Sequence, residues 1–359
     1  MPHLTLAGYF GCGNLGDEAV LLGFVHGLDG LGFDVTVLSG NPDETHRRYG
    51  LQAINRRNMG DFARVVHTTD ALVFPGGSIF QDATSVKSVY YYADLVARAK
   101  KAGKKVLMVG QGVGPLSSFL GKRWAASAFN ACSAIAVRDP DSMGVLRELK
   151  VTAPVKVTAD SAFLMPPARE DAEQTDFQVG GMKSIGISPR PLPGMDMKSA
   201  VKVFGDLARA LMANNLMPVF VEMDAAMDGP MIQEISKAQG GKVPEIRKVT
   251  SPLEMQQRLS RMEAVIAVRL HAGIIAAKAD VPPFMVSYDP KVAAFAKMLG
   301  LPSVPSVQGL TGNRLYDSFA EFYKNRTRYS GLIATRMPEL IRSAQENVHL
   351  VVEALGGRR

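Results

Sequence analysis

Short apolar runs alternate with longer amphipathic stretches through the first half of the chain. The stretches at 17–29 and 89–102 predict helices. The short runs are continuously apolar, which is typical of a parallel sheet covered by helices on both faces. They predict six strands, at 3–7, 34–38, 71–74, 105–109, 134–137 and 155–158.

A second series of the same kind follows a polar, acidic segment at 166–182, which contains Pro and Gly and is typical of a linker. Its apolar runs predict strands near 184–188, 218–222, 245–249, 263–268 and 284–287. Helices are predicted at 197–214, 230–239, 252–261, 272–279 and 290–299, a loop at 303–313, and a last amphipathic segment at 336–355. The pattern predicts an α/β protein with two Rossmann-like, doubly wound domains, at 1–165 and 183–335, that face a cleft, and a C-terminal helix within 336–359.

Length and composition agree with this division. The chain has 359 residues, of which 47% are hydrophobic, so it is long enough for two domains and excludes global disorder. The net charge is +7 and the pI is about 9.3. This charge favours phosphate esters, acidic sugars, nucleic acid or an anionic membrane surface as partners, unless it is only a solvated basic surface.

Neither cysteine has the spacing of a metal ligand, so no metal site and no disulfide scaffold is predicted. Cys12 lies in a glycine loop, where a packed small residue is favoured over a nucleophile. The first residues read as a strand that runs into this loop and not as a signal peptide, and no apolar run approaches the roughly 18 residues of a membrane span. We therefore expect a cytoplasmic protein.

Glycines follow three predicted strands, at the sheet edge where α/β proteins bind ligands. Residues 11–16 match G-x-G-x-x-G, but the second strand ends in Leu-Ser-Gly, without the acid that a dinucleotide ribose would need. Gly13 and Asn14 are therefore candidates for binding an anion or an acceptor, with a purely structural turn as the alternative. After the third strand, Gly76, Gly77 and Ser78 either allow a ligand to approach the backbone closely or form a simple turn.

Cations also gather at the predicted strand ends. Arg138, Arg190 and Arg269 each follow a buried strand, and Lys291 begins a helix after the last one. Arginines in this position suit bidentate binding of carboxylate or phosphate. The alternatives are a local salt bridge, which Asp139 suggests for Arg138, and a solvated side chain for Lys291.

Among the six histidines, His271 is the strongest candidate for a catalytic residue. It follows a buried strand and starts a helix, where a bound phosphate would favour the imidazolium form. An imidazole suits acid–base chemistry near neutral pH. The alternative is a structural histidine whose ring nitrogens are hydrogen-bonded within the core.

Taken in order, these motifs resemble those of the polysaccharide pyruvyl transferases, in particular the CsaB-type enzymes of bacterial cell-wall polymer synthesis. The resemblance covers about residues 4–300. It rests on Gly11–Glu18 (GCGNLGDE), Gly76-Gly77, Gly110–Pro115 (GQGVGP), Val137-Arg138-Asp139, Ser188-Pro189-Arg190, Arg269-Leu270-His271 and Asp289-Pro290-Lys291.

The resemblance implies a fold like that of GT-B glycosyltransferases, phosphoenolpyruvate as the donor and a cyclic pyruvate ketal on a sugar as the product. In the CsaB-type case the sugar is an N-acetylmannosamine of a lipid-linked precursor, and the pyruvylated polymer anchors S-layer proteins. The family's arginine, histidine and lysine map to Arg138, His271 and Lys291. No cofactor and no metal is implied.

Combining the resemblance with the strand-end residues gives each candidate a role. His271 and Asp17 are predicted to be catalytic, His271 as an acid–base and Asp17 as a base for a hydroxyl. The cations are predicted to hold the donor and stabilise the departing phosphate, and the remaining candidates to contact the acceptor or to shape its loops. The donor set is Arg138, Arg190, Arg269 and Lys291, and the acceptor set is Gly13, Asn14, Gly76, Gly77, Ser78 and Glu222.

Two other classes of function remain as alternatives. A GT-B glycosyltransferase that uses a nucleotide sugar has the same fold class, although Glu222 comes too early to be its ribose-binding acid. A non-catalytic protein that binds a polymer or a membrane surface would explain the charge but not His271. Nothing indicates nucleic-acid binding. If the acceptor is lipid-linked, peripheral contact with the inner membrane face is expected.

Overall fold

The computed structural model describes residues 1–83, 85–167, 181–191, 194–241, 243–287, 290–302 and 309–357. The chain divides into two compact units. The first comprises Met1–Met165 and Glu339–Arg359, and the second comprises Pro166–Pro338. Most of the predicted linker, at 168–180, lies outside the described residues.

The first unit is built on a parallel sheet, as the continuous apolar runs predicted. Its strands are β1 (His3–Leu6), β2 (Asp34–Ser39), β3 (Gln52–Asn55), β4 (Ala71–Phe74), β5 (Gly77–Phe80), β6 (Lys105–Val113), β7 (Ala134–Val137) and β8 (Val155–Val157). The order is β3-β2-β1-β4-β6-β7-β8, and β5 pairs with β6. All six predicted strands are present, and β3 and β5 are additional.

Strand β5 corrects one of the two interpretations given for Gly76, Gly77 and Ser78, that of a simple turn. Only Pro75 and Gly76 separate β4 from β5, and both strands pair with β6. Gly76 and Gly77 have positive φ angles of 146° and 88°, values that favour glycine. The chain kinks at these two residues and then continues along the same neighbouring strand.

Helices cover this sheet. They are α1 (Leu15–Gly27), α2 (Pro42–Tyr49), α3 (Met59–Thr68), α4 (Val86–Lys101), α5 (Phe119–Asn130) and α6 (Pro140–Glu148). An Asn, Ser or Asp side chain accepts a hydrogen bond from the first turn of each, which satisfies backbone donors that would otherwise lack partners. Inside, Phe80 packs against Phe129, with ring centroids 5.0 Å apart.

The second unit has a smaller parallel sheet, in the order β11-β10-β9-β12-β13. Its strands are β9 (Lys183–Ser188), β10 (Leu216–Val221), β11 (Glu245–Ile246), β12 (Ala264–Ala267) and β13 (Pro283–Met285). Its helices are α7 (Met197–Ala213), α8 (Gly229–Ala238), α9 (Pro252–Leu259), α10 (Leu270–Lys278), α11 (Pro290–Met298) and α12 (Gly312–Lys324). All five predicted strands are present. The predicted loop at 303–313 overlaps the start of α12, and its residues 303–308 lie outside the described part of the chain.

A long helix, α13 (Arg326–Ala354), begins ten residues before the helical segment predicted at 336–355. It contains Pro338, and the residues after this proline belong to the first unit. There the Asn347 side chain is fully buried and accepts a hydrogen bond from Thr158 Oγ1 at 2.7 Å. Among the described residues, no helix is both long enough and apolar enough to cross a bilayer.

Candidate active site

Each sheet has one topological switch point, where the strand order reverses. It lies between β1 and β4 in the first unit and between β9 and β12 in the second. In open α/β sheets, ligands bind outside the carboxyl ends of the strands at such a point. The glycine loop follows β1, Arg190 follows β9, and Arg269 and His271 follow β12. The fold thus places these candidates at the two positions where a ligand is expected.

The glycine loop after β1 is held in place by helix α1. Asn14 Oδ1 accepts hydrogen bonds from the backbone N–H of Gly16, at 2.9 Å, and of Asp17, at 3.4 Å. Asn14 therefore caps α1, while Gly13 beside it is exposed. The predicted roles of Gly13 and Asn14 toward an acceptor stay predictions.

Glu18 fixes the other end of this loop, and sequence reasoning missed it. Its carboxylate accepts hydrogen bonds from Gly11 N at 2.7 Å and from Tyr49 Oη at 2.8 Å. Burial raises the pKa of Glu18, while these two hydrogen bonds oppose the rise. An acid within the otherwise apolar run of α1 was the available signal, because buried carboxylates are rare unless they are paired.

Asp17 lies against the kink between β4 and β5. A Cβ atom on Gly77 would lie 3.3 Å from Asp17 Oδ1, so the glycine leaves room for this half-buried carboxylate. The structure therefore brings Asp17, Asn14 and Gly77 together at the carboxyl edge of the first sheet, as the sequence predicted.

Arg138 lies just after β7 and is only 6% exposed. Its Nη1 donates to Asp160 Oδ2 at 2.7 Å, and its Nη2 donates to Ser78 Oγ at 2.8 Å. Asp139 Oδ2 lies 3.6 Å from its Nε, which has no hydrogen-bond partner among the described residues. Two carboxylates thus offset the charge of Arg138. Its direct contact with a donor stays a prediction, and the structure shows that it positions Ser78.

Arg56 is a cation that sequence reasoning missed. Its guanidinium donates to Tyr92 Oη at 2.9 Å and to Cys12 Sγ at 3.3 Å. Its Cζ lies 5.1 Å from the ring centroids of both Tyr9 and Tyr91, within cation–π range. Only the folded chain brings these partners together, so the sequence carried no signal for the cluster.

In the second unit, Arg269 is held by an acid that sequence reasoning also missed. Its Nε and Nη2 donate to the carboxylate of Asp228, with a shortest distance of 2.6 Å. Asp228 is fully buried. Burial raises the pKa of Asp228, and the charge of Arg269 opposes the rise. The pair fixes the start of α10 and therefore the position of His271.

His271 lies in the first turn of α10 and is half-buried, with its Nε2 shielded from solvent. Arg190 follows β9 by two residues and is also half-buried. Ser188 in β9 pairs with Ala267 in β12, so Arg190 and Arg269 leave neighbouring strands at the same edge. Lys291 lies in the first turn of α11, whereas Asp289 of the same motif lies outside the described residues.

Glu222 follows β10 and is 5% exposed. It accepts hydrogen bonds from Arg247 Nε at 3.0 Å and from Lys248 N at 3.1 Å. Both of its oxygens are therefore engaged within the second unit, and its contact with an acceptor stays a prediction. The described residues contain no group of three or more His, Cys, Asp or Glu side chains that could hold a metal ion.

Comparison with known proteins decides the family. The model of the family described as "Polysaccharide pyruvyl transferase" matches residues 14–290, which include nearly all of the motifs above. The chain belongs to the polysaccharide pyruvyl transferase family. It is also similar to the amylovoran biosynthesis protein AmsJ of Erwinia amylovora, at 23% identity, over 86% of this chain and 88% of AmsJ. A polysaccharide pyruvyl transferase is an enzyme that transfers pyruvate to a polysaccharide.

Solved structures support the predicted GT-B-like fold. MnaA of S. aureus, solved with UDP, matches with a TM-score of 0.70 at 11% identity, over 99% of this chain and 97% of MnaA. HepE of Anabaena, solved with UDP-glucose, matches with a TM-score of 0.63 at 13% identity, over 99% of both chains. At these identities the likeness concerns the fold alone.

Proposed function

We propose that this polysaccharide pyruvyl transferase takes pyruvate from phosphoenolpyruvate and forms a cyclic ketal on a sugar, with release of phosphate. The observation that carries the proposal is the Arg269-Leu270-His271 segment at the switch point of the second sheet, with Arg190 just after the neighbouring strand. Two cations beside a histidine suit a small donor that bears both a carboxylate and a phosphate.

The reaction needs proton transfers and stabilisation of negative charge. Protonation at C3 of phosphoenolpyruvate makes C2 electrophilic, and a sugar hydroxyl adds to C2 as it loses its proton. The C2–O bond to phosphate then breaks, and a second hydroxyl of the same sugar adds to C2 and loses its proton. One donor and two hydroxyls thus give one ketal and one phosphate.

The residues have separate roles in this scheme. His271 supplies or accepts a proton at C3 or at a hydroxyl, and Asp17 acts as the base for a hydroxyl. Arg190, Arg269 and Lys291 bind the donor and stabilise the leaving phosphate, with Arg138 in the same role or positioning Ser78. The acceptor contacts Gly13, Asn14, Gly76, Gly77, Ser78 and Glu222.

The acceptor in this proposal is N-acetylmannosamine of a lipid-linked precursor of a secondary cell-wall polymer, as in CsaB-type enzymes. The pyruvylated polymer would then anchor S-layer proteins. The likeness to AmsJ extends the candidate acceptors to other bacterial polysaccharides, because that relative is named for amylovoran biosynthesis.

A thermal-shift titration tests the donor, with phosphoenolpyruvate, UDP- and GDP-sugars and NAD(H) as ligands. We expect phosphoenolpyruvate to raise the melting temperature of the wild type and of Lys297→Ala, but not of Lys291→Ala. Lys297 is a matched control because it is an exposed lysine on the same helix. Stabilisation by a nucleotide sugar alone would instead support the alternative, a glycosyltransferase.

Turnover tests the catalytic histidine. In a pyruvylation assay followed by NMR of the ketal, we expect His271→Ala to lose about two to four orders of magnitude in rate. His349→Ala, at a half-buried histidine of the first unit, should leave the rate unchanged. Equal rates for the two variants would remove His271 from the mechanism.

A further inference from the structure

Large apolar side chains are exposed at the start of helix α5. Phe119 is 74% exposed and Leu120 is 49% exposed. On the neighbouring helix α4, Tyr90 is 53% exposed, and its ring lies 5.0 Å from that of Trp124 in α5. Soluble surfaces rarely group such side chains without a binding role. We call Tyr90, Phe119, Leu120 and Trp124, with the basic residues Lys87, Lys122 and Arg123, the α4–α5 patch.

The basic residues of the patch are helical neighbours of its apolar residues. Lys122 and Arg123 follow Phe119 by three and four positions, and Lys87 precedes Tyr90 by three, so each shares a helix face with an aromatic ring. All three basic side chains are exposed. Aromatic and aliphatic side chains interleaved with Lys and Arg are typical of surfaces that lie in a membrane interface.

The segment of the chain that carries the patch is strongly basic. Residues 86–130, which contain α4 and α5, hold eight Lys and Arg residues and one acid, Asp94. Their net charge of +7 therefore equals that of the whole chain, and the remaining residues sum to zero. Helix α5 contains no acid. Three of these eight cations, Lys87, Lys122 and Arg123, belong to the patch, and the other five lie at the end of α4 and the start of β6. The three exposed cations of the patch make it complementary to an anionic surface.

The protein holds the start of α5 in place. Asp82 accepts hydrogen bonds from the backbone N–H of Ser117, at 2.8 Å, and of Ser118, at 2.7 Å. Ser118 Oγ in turn accepts a hydrogen bond from Gly121 N at 3.0 Å. Phe119 and Leu120 therefore project from an ordered helix start, and binding through them does not require this turn to be ordered first.

The patch also lies near the carboxyl edge of the first sheet. Asp82 follows β5 and donates its backbone N–H to Pro115 O, just after β6. Helices α4 and α5 both begin from this edge, where Asp17, Asn14 and Ser78 also lie. A membrane against the patch would thus lie at the same edge of the first sheet as these three residues.

We propose that the α4–α5 patch docks this enzyme on an anionic lipid bilayer. Phe119 and Leu120 enter the interface between headgroups and acyl chains, Tyr90 and Trp124 lie at headgroup level, and Lys87, Lys122 and Arg123 contact anionic headgroups. The inference deepens the proposed function, since it rests on an acceptor that is lipid-linked. A bilayer accounts for both the apolar and the basic part of the patch.

The single tryptophan of the chain, Trp124, provides a direct measurement. The full-length protein is titrated with vesicles of phosphatidylglycerol and phosphatidylcholine, and with vesicles of phosphatidylcholine alone. We expect the anionic vesicles to shift the Trp124 emission to shorter wavelength, with quenching by brominated lipid and cosedimentation that weakens at high salt.

Variants locate the contact. Lys122→Gln with Arg123→Gln should weaken vesicle binding roughly 30-fold, at about 1 kcal/mol for each cation. Phe119→Ser with Leu120→Ser should weaken binding at least about tenfold. The controls Arg64→Gln and Leu31→Ser remove an exposed cation and an exposed leucine elsewhere on the first unit and should bind like the wild type.

Two results would overturn the proposal. One is a wild type that does not bind anionic vesicles, which would leave a protein partner as the occupant of the patch. The other is binding that the patch variants retain at the level of the controls. Neither measurement uses phosphoenolpyruvate or turnover, so failure here is distinct from failure of the proposed reaction.

Discussion

Two of the four cations assigned to the donor are held by buried carboxylates. Arg138 pairs with Asp160, and Arg269 pairs with Asp228. A buried ion pair contributes little net stability, but removal of one partner leaves an uncompensated charge. Substitution of either arginine will therefore affect the fold as well as the ligand. Arg190 and Lys291 are half-buried and are the better positions at which to test donor binding.

Arg269→Ala should destabilise the second unit by about 3 to 5 kcal/mol at neutral pH. Burial already raises the pKa of Asp228, and loss of the arginine raises it further. The pKa of Asp228 is therefore higher in the folded than in the unfolded state. As the pH rises above 3.8, the ordinary pKa of this carboxyl group, ionisation of Asp228 in the folded protein costs stability. The decrease in the free energy of unfolding caused by Arg269→Ala, measured in urea, should therefore be larger at pH 8 than at pH 5.

Arg209→Ala is the control, since Arg209 is an exposed arginine paired with Asp206 on α7. It should cost less than about 1 kcal/mol at either pH. A destabilisation by Arg269→Ala that is the same at pH 5 and pH 8 would contradict the role given to Asp228.

At the scale of single elements, the sequence predicted every strand that precedes a candidate residue but misread the segment after β4. Pro75, Gly76 and Gly77 are typical of a turn, yet the chain resumes pairing with β6 at Gly77. Pairing with a neighbouring strand overrides local turn propensity here. Asp228 and Arg56 escaped prediction for a related reason, since each acts through partners that only the fold brings close.

One glycine of the motif at the end of strand β6, Gly112, is required by close packing. A Cβ atom on Gly112 would lie 2.6 Å from Ser78 Oγ and 2.7 Å from Arg138 Nη2. Gly112→Ala should therefore displace the Arg138–Ser78 pair and cost about 1 to 3 kcal/mol in thermal unfolding. Gly144→Ala is the matched control, because nothing lies within 4 Å of its Cβ and it is inside helix α6. That variant should be neutral or slightly stabilising.

If Gly112→Ala were as stable as Gly144→Ala, the close packing of Arg138 against β6 would be disproved. A Gly112→Ala variant that is destabilised as expected, but is still folded at the assay temperature and loses turnover, would support a role of Ser78 and Arg138 in the reaction.

At the scale of the whole molecule, the first unit is discontinuous along the chain. Asn347 in α13 accepts from Thr158 Oγ1 and donates to Ala159 O at 2.9 Å and to Ser161 Oγ at 3.1 Å. These groups lie just after β8, nearly 190 residues earlier in the chain. Asn347 thus links the late segment of the chain to the sheet of the first unit.

Asn347→Ala should destabilise the first unit by about 3 kcal/mol, because it leaves several buried polar groups without partners. Hydrogen exchange followed by mass spectrometry should show faster exchange around β8 and in the late part of α13, while β9 and β12 of the second unit keep their protection. Arg342→Ala, at an exposed position on the same helix, should leave the pattern unchanged. Equal loss of protection in both units would show that they unfold as one.

This link also sets an order of events during synthesis. The eight strands of the first unit emerge first. Thr158 and Ala159 can form their hydrogen bonds with Asn347 only after the whole second unit has left the ribosome. The first unit is therefore the earliest part of the chain to be made and the last to be completed. A nascent chain that stalls before Glu339 carries all of the proposed acceptor residues except Glu222 on an incomplete first unit, open to proteases and chaperones. Its second unit already contains all of its own strands.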